Sequence, residues 1–249
     1  MLYTGLTSVT FRQLEPERIV PLASQAGLDA IEWGGDIHVP HGDAKCAKAV
    51  GQLTRDYGLS VSSYGSYYKV GVSNDFTAVL ESAIALGAPT IRIWAGDRAT
   101  KDADQAFWHQ VVEDTIDASD AAKQAGIRLS FEFHQGTLVD GSEQAFQLLQ
   151  DVKRDNVSLY WQPEPQWSIE KNLQTLTAFA PCLNHLHVFH WNSQRLPLQD
   201  GREPWLRYLT QASQVEGERV AILEFVRNND PQQFLHDAAV LKALIEAAC

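Results

Sequence analysis

At 249 residues the chain has room for two ordinary domains or for one (β/α)8 barrel, a fold that takes about 250 residues, and its 45% hydrophobic content can fill a large core. A formal charge of −11 and a pI near 5.1 oppose a surface that tracks phosphates, because nucleic-acid binding rests on Lys and Arg contacts. Cys46, Cys182 and Cys249 lack metal-ligand spacing and imply no disulfide framework, and no basic leader or apolar run of about 20 residues marks a membrane span, so a cytoplasmic protein without nucleic-acid or membrane partners is expected.

In chain order, the first β-rich run is "YTGLTSVTF" (3–11), followed by the amphipathic "EPERIVPLASQAG" and a second strand, "DAIEWGG" (29–35). "LSVSSYG" (59–65) leads to the helical "FTAVLESAIALG", and "TIRIWAG" (90–96) to "TIDASDAAKQAG". The strands "IRLSFEFH" (127–134), "VSLYWQP" (157–163), "LNHLHVFHW" (183–191) and "VAILEFV" (220–226) complete the set, before a last helical run, "PQQFLHDAAVLKALIEAA". The apolar periodicity separates the two kinds of segment, and Gly27, Gly87 and Gly126 stand where a helix turns back to a strand. Eight strands about 30 residues apart, each followed by a helix, predict an α/β protein with one (β/α)8 TIM barrel over 1–249 and no second domain. A doubly wound open sheet would carry a Gly-rich phosphate turn after its first strand, and "TSVTFRQLEP" is not one.

Barrel active sites lie at the C-terminal strand ends, and side chains alternate along a strand, so parity selects the inward residues. In "LSFEFH" the apolar Leu129, Phe131 and Phe133 face the helices, leaving Ser130, Glu132 and His134 inside. The same rule turns Ser158, Tyr160 and Gln162 inward, then His185, His187 and Phe189, then Glu224, with Leu223 and Phe225 outward. Four neighbouring strands therefore bring Glu132, Gln162, His187 and Glu224 to one end of the barrel. Two adjacent buried carboxylates are costly without positive charge, and a divalent cation held by carboxylate and imidazole would supply it, with a metal-free polar cluster as the rival reading.

The order and spacing of "GLDAIEWGGDIHVP", "FEFH", "HLHVFHW", "RLPLQDGREPW" and "ILEFV" resemble the xylose isomerase-like barrels of the sugar phosphate isomerase/epimerase superfamily over essentially the whole chain. In the epimerases of that family a Glu, an Asp, a His and a second Glu from strands five to eight hold one divalent metal. The resemblance places Glu132, His187 and Glu224 at three ligand positions and Gln162 at the Asp position, with Mn, Mg, Co or Zn as the implied ion. It implies that Glu132 and Glu224 serve as base and acid on a small sugar-like ketose, the metal stabilising an enediolate. A dehydratase of a polyol ketone, similar to the inosose dehydratases, and a non-catalytic sugar-binding barrel are the alternatives. The endonuclease branch fits poorly, since it uses several zinc ions with many more His ligands.

The resemblance also implies substrate contacts at Arg195, in "RLP…G…W", and at His38, in "GGDIHVP". His134 lies one inward step beyond Glu132, and Tyr64, Tyr67, Tyr68 and Trp94 are candidates to wall a sugar pocket. Arg92 is inward if Trp94 is. No basic pair near strands seven and eight marks a phosphate site, which favours an unphosphorylated sugar or polyol. In "QPEPQW" Glu164 is placed to replace the charge that Gln162 lacks, and Pro165 falls where the family usually has a His. A homodimer would be ordinary for the superfamily.

Overall fold

The computed structural model describes residues 1–249, and its eight parallel strands close into one barrel in chain order. The strands are β1 (Leu2–Thr7), β2 (Ala30–Gly34), β3 (Ser60–Lys69), β4 (Thr90–Trp94), β5 (Arg128–Glu132), β6 (Val157–Trp161), β7 (Leu183–Val188) and β8 (Arg219–Leu223). Closure comes from β1 pairing with both β2 and β8, with Gly5 opposite Ala30 on one side and Ile222 on the other. Eight helices form the outer ring: α1 (Pro16–Gln25), α2 (Ala44–Asp56), α3 (Phe76–Leu86), α4 (Gln105–Gln124), α5 (Ser142–Val152), α6 (Ile169–Phe179), α7 (Arg202–Ser213) and α8 (Pro231–Ala248). The structure is thus a single (β/α)8 barrel. None of its helices is long and apolar enough to cross a membrane.

Local chemistry sets the helix boundaries. Asp43, Asp75 and Asp104 cap α2, α3 and α4 by accepting from the backbone N–H of Cys46, Ala78 and Phe107 at 2.8–3.0 Å. Gly87 and Gly126 close α3 and α4 with φ of 79° and 73°, a left-handed conformation that a Cβ would strain.

Strand alternation divides the core. Leu129 and Phe131 of β5, Leu159 and Trp161 of β6 and Leu186 and Val188 of β7 are buried against the helix layer. Burying each such side chain contributes about 1.5–3 kcal/mol. Inside the barrel, Ala30, Tyr160, Val220 and Ile222 form a small apolar layer of their own. Above it the interior becomes polar, because the next inward positions are Glu32, Arg92 and His187, none more than 1% exposed. The hydrocarbon stops one layer below the C-terminal face of the barrel, where ionisable groups begin.

Several strands end elsewhere than their β propensity predicts. β1 stops at Thr7, and Ser8–Phe11 winds into a 3-10 turn that sets Phe11 edge-on to Phe234 of α8 at 5.5 Å. β3 runs on to Lys69, opposite Trp94 of β4, through Tyr67 at φ 56°. β8 ends at Leu223: Glu224 still donates its N–H to the Val188 carbonyl at 2.9 Å, but the chain then turns at Phe225, φ 54°. That turn brings Phe225 to the wall of a cavity at the C-terminal face of the barrel instead of the helix layer predicted by parity.

Candidate active site

A cavity of about 500 Å³ opens at the C-terminal ends of β3 to β8. Glu132, Gln162 and Glu224 form its polar floor, and Tyr67, Trp94, Phe189, Trp191 and Phe225 supply aromatic walls. A larger hollow of about 1030 Å³ lies at the opposite, N-terminal mouth of the barrel, around His185 and Arg219. It contains none of the clustered carboxylates, so the smaller cavity is the candidate site.

His187 is the centre of the polar layer. Its Nδ1 faces the Gln162 side-chain oxygen at 3.1 Å and its Nε2 faces Glu32 Oε1 at 3.3 Å. Nδ1 is also 3.6 Å from Glu132 Oε1 and 3.7 Å from Glu224 Oε2. Burial disfavours the imidazolium, but the surrounding carboxylates of Glu224, Glu32 and Glu132 outweigh it and push the group up to about 10. A doubly protonated ring satisfies both oxygen partners.

The three carboxylates differ in their proton affinity. Burial alone would raise Glu132, but Arg92 and His187 hold it down at about 2. Its Oε2 accepts from the Arg92 guanidinium and from Trp94 Nε1 at 2.6 Å. Burial and the nearby Glu132 charge raise Glu224 above the ordinary carboxylate range, although His187 opposes them. Glu32 is buried too, but Arg92 and His187 keep it well below that range. Arg92 Nε lies 3.2 and 3.3 Å from the two Glu32 oxygens, and Ser63 donates to Glu32 Oε2 at 2.9 Å.

The remaining sequence candidates fall into two groups. Trp94 and His134 line the cavity and stack on each other at 4.7 Å. Glu164 also lines it, but its loop is tied down: its N–H donates to Asn172 Oδ1 at 2.9 Å, and its Oε1 accepts from the Gln166 N–H at 3.3 Å. Arg195 sits behind the wall, over the Phe225 ring at 4.2 Å and bonded to Asn229 at 2.6 Å. An antiparallel bridge joins Trp191 to Arg195.

His38 and Tyr64 are not brought to the cavity. The Nε2 of His38 bonds the Leu14 carbonyl at 3.1 Å and its Nδ1 pairs with the Ser8 hydroxyl at 2.9 Å, so both nitrogens are spent inside the β1–β2 rim. Tyr64 is fully buried and donates to the Val39 carbonyl at 2.7 Å. Glu32 is the residue that sequence reasoning passed over. Parity alone contained the signal, since Ile31 and Trp33 bracket it in β2 and face the helices.

The donor set fits a hard divalent cation. One ligand atom each from Glu132, His187 and Glu224 lies within 4.8 Å of the others, and carboxylate oxygen with imidazole nitrogen suits Mg, Mn or Zn. The Gln162 oxygen is the neutral donor beside them. Such an ion would replace the proton on His187 Nδ1, because a ligating imidazole must be neutral.

This barrel recurs in known proteins. The "probable 3-DHS dehydratase AsbF" of Bacillus anthracis superposes with a TM-score of 0.81 at 17% identity, covering 96% of this chain and 98% of that one. D-psicose 3-epimerase in the presence of D-fructose gives 0.75 at 16% identity, with 97% of each chain covered. A xylose isomerase-like barrel of Mycobacterium smegmatis in complex with magnesium gives 0.71 at 16% identity, covering 99% and 98%. Among curated proteins, none matches the sequence significantly. Residues 20–244 match the family model described as xylose isomerase-like TIM barrel, and the chain belongs to that family.

Proposed function

We propose that the chain is a divalent-metal-dependent isomerase or epimerase of a small, unphosphorylated sugar-like ketose. The observation that carries this reading is the pair Glu132 and Glu224. They are two buried carboxylates on one cavity floor whose proton affinities are driven in opposite directions, the arrangement by which one fold supplies both a base and an acid.

Glu132, held ionised by Arg92 and His187, takes a proton from the carbon beside the substrate carbonyl. Glu224, on the same floor, returns a proton to the opposite face of that carbon. The two carboxyls then exchange protons with solvent to reset. A divalent ion held by Glu132, His187, Glu224 and the Gln162 oxygen would act as a Lewis acid on the substrate carbonyl. Trp94, Trp191 and Phe225 offer flat apolar faces to sugar C–H groups and keep water from the floor. A cytoplasmic setting fits three cysteines that form no disulfide.

One observation favours a second reading, dehydration of a polyol ketone. Glu132 is pinned by two donors, which leaves Glu224 as the carboxyl freer to take a proton and hand it to a departing hydroxyl, and the dehydratase AsbF is among the barrels this fold matches well. Incubating the protein with Mn2+ and a ketose panel in D2O separates the readings. Carbon-bound deuterium in products of unchanged mass apart from the label supports isomerisation, whereas an unsaturated product lacking one water supports dehydration. No exchange with any ketose overturns both and leaves a sugar-binding barrel.

A further inference from the structure

The polar layer already contains a cation. Arg92 projects from β4 into the barrel at 1% exposure and joins two carboxylates, Glu32 through Nε and Glu132 through Nη1. Its Nη2 is buried without a partner, and the Tyr67 ring closes over the guanidinium at 5.1 Å. Gly65 leaves the space it occupies, since a Cβ there would stand 2.8 Å from Nη2. The guanidinium is therefore a fixed part of the site, and it holds one oxygen of a residue that the cation would also need.

We propose that Arg92 is a built-in counter-cation that competes electrostatically with the divalent ion for Glu132, so that the carboxylate cluster stays folded without metal and binds metal more weakly than the cluster alone would. This rests on the metal-dependent reading of the same site. The charges support it: in the ion-free site Arg92 and the His187 imidazolium face the carboxyls of Glu32, Glu132 and Glu224, an ion would displace only the His187 proton, and Gln162 adds no charge where a carboxylate would add one. A +1 charge on a shared ligand residue in a buried site repels a +2 ion strongly, since charges a few ångströms apart are poorly screened there. Arg92 acts here as a positioning residue, holding Glu132 in one orientation with Oε1 free.

The test uses the full chain stripped with chelator, with Mn2+ as the probe, read by calorimetric titration and thermal melting. Arg92→Gln should lower the metal-free Tm and bind Mn2+ at least about tenfold more tightly than wild type, so that Mn2+ recovers a larger share of its stability. Arg92→Lys, which keeps the charge but loses the fork, should bind Mn2+ close to wild type. If Arg92→Gln does not fold, the double variant Glu32→Gln with Arg92→Gln removes the ion pair together and should still bind Mn2+ more tightly. Equal Mn2+ affinity in wild type and the variant that folds overturns the competition alone. No Mn2+ binding by any variant overturns it together with the metal-dependent reading.

Discussion

Glu32 Oε1 lies 3.3 Å from His187 Nε2, across the barrel interior from β2 to β7, and both side chains are fully buried. This contact fixes which imidazole nitrogen faces the cavity: with Nε2 engaged by Glu32, Nδ1 is turned to Glu132, Gln162 and Glu224. Metal-binding histidines are commonly oriented by a carboxylate of this kind. Glu32→Gln keeps the shape but leaves Arg92 and His187 short of an anionic partner. Breaking one side of a buried charge pair costs about 3–5 kcal/mol. Denaturant unfolding should show a loss of that size with an unchanged m-value, and a loss under 1 kcal/mol would mean that the Glu32 charge does not hold the layer together.

The same network predicts how stability follows pH in the absence of metal. The folded His187 is raised from an ordinary 6.5 to about 10, so its contribution is complete below pH 6.5 and is lost as pH rises through about 10. Glu132 moves the other way, from 4.5 to about 2; its contribution is present above pH 4.5 and disappears as pH falls toward 2. Thermal melts from pH 6.5 to 10.5 should show a falling Tm that flattens in His187→Gln. A wild-type Tm that is level across that range would contradict a buried imidazolium.

Gly65 of β3 lies against the ion pair rather than in a tight turn. A Cβ there would meet Arg92 Nη2 at 2.8 Å and Glu32 Oε1 at 3.3 Å. Neither neighbour is the free end of a surface side chain, because both are locked in buried pairs. Gly65→Ala should therefore cost about 1–3 kcal/mol, the usual range for overpacking a core. The check is chemical denaturation alongside a titration of Mn2+, whose affinity should also change as Arg92 is displaced from Glu132.

Much of this architecture was legible in the chain because it depends on simple periodicities. Leu129, Phe131 and Phe133 alternate with Ser130, Glu132 and His134, and a parallel barrel has only one place for each set. Parity failed at Phe225, where the strand ends and a positive φ rotates the side chain into the cavity; period-two reasoning holds only while the backbone stays extended. It was sufficient at Glu32 but went unused, since a single Glu among apolar residues reads as a strand-end charge until its partners Arg92 and His187 are known. His38 shows the reverse case. Its place after β2 marks a rim histidine, yet only three-dimensional contacts reveal that Ser8 and Leu14 have taken both its nitrogens.

Gln162, the residue just past β6, is the informative position of that strand's end. Its oxygen is 3.1 Å from His187 Nδ1, so Gln162→Asp places a carboxylate beside a group already within reach of Glu132 and Glu224. We expect Mn2+ affinity to rise by about tenfold, equivalent to roughly 1.4 kcal/mol, with an unchanged circular dichroism spectrum. Glu164→Gln should leave the affinity unaltered, since the Glu164 oxygen serves its own loop. A tighter site only when Glu164 is intact would transfer the ligand role to that residue.

Deuterium exchange and product formation separate the acid from the base. If Glu132 removes the proton and Glu224 returns it, Glu224→Gln should still wash deuterium into the substrate carbon in D2O while epimer formation falls by about 10²–10⁴-fold, the usual contribution of a general acid. Glu132→Gln should abolish both exchange and product, because Arg92 and Trp94 orient this carboxylate and no other group on the floor takes its place. The reverse pattern, with exchange surviving in Glu132→Gln and lost in Glu224→Gln, would assign proton removal to Glu224. Glu224 is the carboxyl whose raised proton affinity suits a base that must also give its proton up, and that outcome would favour the one-base elimination over epimerisation. Measuring deuterium by NMR and product by chromatography on the same samples distinguishes the two mechanisms without knowledge of the natural substrate.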